Sequence, residues 1–225
     1  LLSCICLLII LFGLYKVLQR TGWAKAKRQN ILIAVTVIIL VWLGILCVLA
    51  YNSFFSDFSK LPPRPALAIL IPLPLVLIFV FSKAGTKLIR AVPPQWLVFM
   101  QSFRIFVELM LWSAFAANKL PVQMTFEGGN FDVLSGILAI PVGWLLLTKR
   151  SWAPKAAIAY NILGVLLLLN ILVIAVLSMP TPFRYFMNEP SNTLVAEFPI
   201  ILLPGFLVPL AYSFHIFSLR QLLKK

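Results

Sequence analysis

Arg104 and Glu108 stand four residues apart in FRIFVELMLW (103–112), a stretch otherwise suited to lipid. On a helix this spacing puts both on one face, close enough to pair, with Gln101 and Trp112 near the same stripe. A charge at the bilayer centre costs at least about 2.5–3.5 kcal/mol on insertion scales, so the stripe is expected to face other helices. Two chemistries fit it. In one, Arg104 anchors a carboxylate or phosphate while Glu108 sets the charge of the site or exchanges a proton. In the other, the two neutralise each other as a folding device, bonding further to Asn161, Asn170 and carbonyls freed by proline.

Other polar residues offer less. Asn161 and Asn170 lie about two and a half helical turns apart, so at most one is expected to meet the stripe. His215 is the lone histidine; it cannot build a two-His haem or three-His zinc site, and it is expected to be an interfacial or hydrogen-bonded structural residue, with a pH-sensitive one as the alternative. Glu127, Asn130, Asp132, Arg184 and Glu189 fall in two loops, where they form either a polar lid or exposed pairs that pin the loops. Asn130 or Asp132 is expected to cap the helix that follows, and Glu197 to cap the last one. Cys4, Cys6 and Cys47 lack ligand spacing, so neither a metal site nor a disulfide framework is expected. No Ser/His/Asp, HExxH or cofactor fingerprint is present, so the chain reads as a non-enzyme without a cofactor.

The elements that position these residues follow from composition. The 225 residues are 62% hydrophobic and 11% charged, with a mean hydropathy of +1.03. Soluble domains carry about 45–50% apolar and about 25% charged residues. The apolar residues fall in blocks long enough to cross a hydrocarbon core about 30 Å thick. Proline within long Leu/Ile/Val runs excludes the alternating strands of an outer-membrane barrel. The expected fold is therefore an all-α polytopic bundle in one transmembrane domain over 1–225, its seven spans near 1–18, 31–52, 65–82, 95–117, 132–148, 156–179 and 194–218.

Basic residues set the orientation. Lys16, Arg20, Lys25, Lys27 and Arg28 surround the first loop, Lys83, Lys87 and Arg90 the third, and Lys149, Arg150 and Lys155 the fifth. Arg220, Lys224 and Lys225 mark the C-terminal end. The positive-inside rule then places the N-terminus outside and the C-terminus in the cytoplasm. The net charge of +13 is explained by topology and by anionic headgroups on the cytoplasmic leaflet, and calls for no nucleic-acid partner. The first span lacks a small-residue cleavage site and its basic cluster follows it, unlike a signal peptide. The chain begins at Leu1 rather than Met, so residues are expected to precede it.

Span three holds Pro65, Pro72 and Pro74, and span seven Pro199, Pro204 and Pro209, so both are expected to kink. Gly22-Trp23-Ala24-Lys25-Ala26 before span two echoes Ser151-Trp152-Ala153-Pro154-Lys155-Ala156 before span six. These echoes suggest a 3+1+3 repeat, a layout similar to that of SWEET-type transporters, which implies a site where parallel repeats meet. The N-outside, seven-span layout is also similar to that of rhodopsins, but a retinal protein implies a Schiff-base Lys in its last span and LVAEFPIILLPGFLVPLAYSFHIFS has none. The segments FRIFVELMLW, QMTFEGGNFDVLSG, PTPFRYFMNEPSN and FLVPLAYSFHIFSLRQL resemble an uncharacterised family of bacterial inner-membrane proteins over roughly 95–225. That resemblance implies a multi-pass inner-membrane location and no particular chemistry.

Two function classes follow. One is a small carrier or binding protein for an anionic or amphipathic ligand, using Arg104, Glu108, Gln101, Asn161 and Asn170. The other is a non-catalytic subunit or assembly factor that packs against a membrane-protein partner.

Overall fold

A computed structural model describes residues 1–148 and 150–223, and the described residues are all helix, turn and loop. Lys149, Lys224 and Lys225, counted above among the basic residues, lie outside them. Two long helices come first, Leu2–Gln19 (α1) and Lys25–Tyr51 (α2). The third span is broken as its prolines require. Helix α3, Arg64–Leu70, stops at Ile71, and Pro72, which has no N–H to continue the ladder, starts α4, Pro72–Phe81.

The third loop contains helix α5, Lys83–Ala91. Ser82 caps it, its Oγ accepting from Gly85 N at 2.9 Å. Leu88 and Ile89 are buried while Lys83, Lys87 and Arg90 stay exposed, so the helix is amphipathic. The fourth span joins α6, Pro94–Phe99, through a 3₁₀ turn at Met100–Ser102 to α7, Phe103–Ala116. Helices α8, Val133–Leu147, and α9, Ala153–Leu177, follow. The last span begins later than expected. Leu194–Ala196 form a 3₁₀ turn, Leu203–Leu207 a π-helical turn, and only Val208–Leu223 (α10) is regular α-helix.

Among the described residues, six segments are long and apolar enough to cross a membrane: α1, α2, α3 with α4, α6 with α7, α9, and Leu203–Leu223. The fifth of the expected spans is shorter. At 15 residues, α8 extends about 22 Å, less than the hydrocarbon thickness of about 30 Å. The third and seventh spans, which the repeat idea makes equivalents, depart from the α-helix differently: one breaks at Ile71–Pro72 and the other winds into a π turn.

Contacts sort the loops into two ends. Gln221 Nε2 donates to Ile89 O at 2.8 Å and Val92 O at 2.6 Å, and Lys27 and Lys87 both lie over the Trp23 ring. The α1–α2 turn, α5 and the end of α10 therefore share one end. At the other, Leu46 of α2 packs with Phe55, Phe58, Met179, Val195 and Ile201.

The main core lies between α7, α9 and the last span, around Phe103, Leu111, Leu168, Ile171, Phe206 and Val208. Two glycines permit close helix approaches here. A Cβ on Gly136 would meet Ile105 N at 2.9 Å, where α8 lies on α7, and one on Gly164 would meet His215 Cε1 at 2.3 Å, where α9 lies on α10. Proline also joins α2 to this core. Pro209 has no N–H to offer Gly205 four residues earlier, and Trp42 Nε1 donates to that carbonyl at 2.8 Å.

Candidate functional site

The charged stripe of α7 faces protein: Arg104 is 2% and Glu108 4% exposed. The two do not pair. Arg104 instead meets Asp132, the residue immediately before α8, through a bidentate fork in which Nε donates to Oδ2 at 2.7 Å and Nη2 donates to Oδ1. Nη1 donates to Ser135 Oγ at 2.7 Å and lies 2.8 Å from His215 Nε2, while Nη2 also reaches Gly164 O at 3.5 Å. All five guanidinium hydrogens are thus engaged inside the protein, the last of them weakly.

Arginine has no acceptor to offer, so His215 Nε2 must accept and the ring hydrogen sits on Nδ1. Nδ1 then donates to Asn161 Oδ1 at 2.9 Å, and Asn161 Nδ2 donates to Ser218 Oγ at 2.9 Å and Ala157 O at 2.7 Å. His215, read from the sequence as either a hydrogen-bonded structural residue or a pH-sensitive one, is fully buried and serves as a link in this chain. Tyr160 packs beside it, with ring centroids 5.8 Å apart, and donates to Ser135 O.

Glu108 belongs to a second network. Its Oε1 accepts from Phe126 N and its Oε2 from Asn130 Nδ2, each at 2.7 Å. Asn130 Nδ2 also donates to Met124 O at 2.9 Å, and its Oδ1 accepts from Asp132 N at 3.1 Å. The fourth loop is therefore folded inward onto α7. Asp132 makes no capping bond because its carboxylate is turned to Arg104, which corrects the expected cap.

The remaining candidates disperse. Gln101 is buried but donates to Ala211 O at 2.9 Å, one turn from the Arg104 network. Asn170 is exposed and donates to Gly129 O at 2.9 Å, so it pins the fourth loop. The polar lid also separates into local pairs. Glu127 accepts from Trp112 Nε1 at 2.9 Å, and Arg184 pairs with Glu189 within its own loop at 2.9 Å. Arg184, then the Ser191 N–H, hold the Glu189 carboxyl below its ordinary value. Asp57 is lowered likewise, first by the Ser59 hydroxyl and then by the Ser59 N–H, with Arg64 at 2.9 Å. Glu197 is exposed, and the regular helix begins only beyond it.

A cavity of about 60 Å³ adjoins the two networks. Its wall is apolar, with Pro65 and Ile69 of α3, Val107 and Leu111 of α7, and Leu168 and Leu172 of α9, except where Arg104, Glu108, Asn130 and Asp132 form one end. Leu203 and Pro204 of the π turn complete it. Ser135, Tyr160, Gly164 and Ser218 were not anticipated. One sequence signal for them is the pairing of an acid with small residues one turn later, Asp132 with Ser135-Gly136, at the head of an apolar helix.

Residues 62–223 match the domain of unknown function DUF8737. The chain belongs to that family. Every member of the Arg104 and Glu108 networks lies inside the DUF8737 region, whereas α1 and α2 precede it. No curated protein and no solved structure matches the chain.

Proposed function

We propose that this DUF8737 protein is a seven-span, multi-pass protein of the bacterial inner membrane, its N-terminus outside and its C-terminus cytoplasmic, that holds a small amphipathic molecule between α3, α7, α9 and the last span. Binding or carriage, rather than catalysis, is the role. The observation that carries this reading is the cavity itself, apolar along its length and polar at one end. The broken third span and the π turn both line it, and their interrupted hydrogen bonding suits them to move as a gate. Arg104 is the framework of the polar end rather than the anchor for an anion, since Asp132 already neutralises it.

Ala175 lines the cavity, so Ala175→Leu fills it. Mass spectrometry of small molecules retained by the purified full chain tests the reading. The wild type is expected to carry a bound amphiphile that the filled variant loses, with no fall in its unfolding midpoint. Identical extracts from the two would defeat the proposal.

A second reading is a non-catalytic subunit whose first two helices meet a membrane-protein partner. The observation favouring it is that only 6% of the most apolar 18-residue window of α2 is buried within the chain. Cysteines placed at Ile38 and Val41, both exposed, are expected to crosslink to a defined protein in native membranes under this reading, and to lipid analogues alone under the first.

A further inference from the structure

We infer that the cavity accepts a ligand whose polar end donates hydrogen bonds, an ammonium or hydroxyl head on a short apolar chain, and excludes carboxylates and phosphates. This rests on the cavity reading above and follows from counting donors. Among its lining residues the polar side chains are Arg104, Glu108, Asn130 and Asp132. Arg104 has spent its five N–H groups on Asp132, Ser135, His215 and Gly164. Asn130 has spent both amide hydrogens on Glu108 and Met124. Pro65 and Pro204 have no N–H, and the N–H groups of Val107 and Leu168 lie within helices.

Acceptors are left over. Each oxygen of Glu108 accepts one N–H bond, and each oxygen of Asp132 accepts one from Arg104. A carboxylate offers about four lone-pair sites, so both acids retain directions for a further donor. The charges point the same way, because two carboxylates face one guanidinium and Glu108 has no cation beside it. An ammonium entering here gains acceptors and balances the excess acid. A carboxylate would stand beside two others with no donor to receive it, the costly burial of an unpaired charge. A volume of 60 Å³ has room for only a few water molecules, which favours a small head and a short chain.

The test uses the full chain in lipid nanodiscs, with ethylammonium, ethanol and acetate as probes and the thermal unfolding midpoint as readout. Ala175→Leu, measured in parallel, removes the contribution of probe dissolved in the bilayer. Ethylammonium is expected to raise the midpoint saturably in the wild type alone, ethanol more weakly, and acetate not at all. Glu108→Gln puts an NH₂ donor where an acceptor stood and is expected to weaken ethylammonium about tenfold, the scale of a lost charged hydrogen bond. If acetate saturates at the same or lower concentration than ethylammonium, the headgroup assignment is overturned while the cavity reading stands. If no probe gives a saturable shift, or Ala175→Leu responds as the wild type does, both fall together.

Discussion

Helix α2 and the last span divide the labour of this protein in opposite ways. The best window of α2 has a mean hydropathy of 3.2 and is 6% buried; that of Leu203–Leu223 has 1.2 and is 56% buried. The most apolar helix is thus the least enclosed by its own chain. Lipid tails solvate Leu and Ile as well as a protein core does, so apolarity alone gives helices no reason to associate in a bilayer. Polar groups do, because each needs a partner that lipid cannot supply. Arg104, Asp132, Ser135, Asn161 and His215 draw α7, α8, α9 and α10 together, while α2 is tied to the last span by one tryptophan hydrogen bond.

The largest effect expected from this contrast is at Arg104. Arg104→Ala leaves Asp132 buried without its cation and should lower stability by about 3–5 kcal/mol, measured by unfolding in mixed micelles. Arg104→Leu combined with Asp132→Leu should recover most of that loss; equal damage in both would mean that the ion pair is not what joins α7 to α8. Next comes Gly164→Ala, whose Cβ falls 2.5 Å from His215 Nε2. Forcing the ring off Arg104 should cost about 1–3 kcal/mol, visible as a lower unfolding midpoint.

Smaller effects are expected in α2. Trp42→Phe removes the donor to Gly205 O and should cost about 1 kcal/mol, whereas Val41→Leu, on the exposed face, should stay within about 0.5 kcal/mol. A large loss at Val41 would show that α2 is covered after all and would close the gap between the two regions. The smallest effect belongs to the exposed sixth loop. Glu189 titrates below its ordinary 4.5, so its pairing with Arg184 contributes above that pH and is lost as the pH falls through the lower, folded value. Arg184→Ala should move the Glu189 titration back up toward 4.5, followed by NMR of the carboxyl carbon, with almost no change in global stability.

Much of the architecture was legible because lipid imposes simple rules on a sequence. The apolar blocks at 1–18, 31–52, 65–82, 95–117 and 156–179 each correspond to one helix or two consecutive ones with edges displaced by a few residues, and the break at Ile71–Pro72 falls where proline demands it. The edges of span seven were not legible, since FPIILLP is as apolar in a turn as in a helix. Helix α5 escaped notice because nine residues give an amphipathic pattern little length to show itself. At the site, the inward-facing stripe at Arg104 and Glu108 was readable from cost alone. Its pairing was not: i,i+4 spacing makes a bond between them available, but each found a partner with better geometry in residues 126–135.

By itself the sequence determined that long apolar helices form, where proline interrupts them and which charges must turn away from lipid. These are local consequences of chain length, missing N–H groups and the cost of burying ions. Only the tertiary structure decided that Asp132 rather than Glu108 neutralises Arg104, that His215 and Asn161 complete its shell, and that Glu108 is held by neutral donors beside a cavity. A buried donor takes whichever acceptor the packing of helices brings within reach, and that depends on residues distant in sequence.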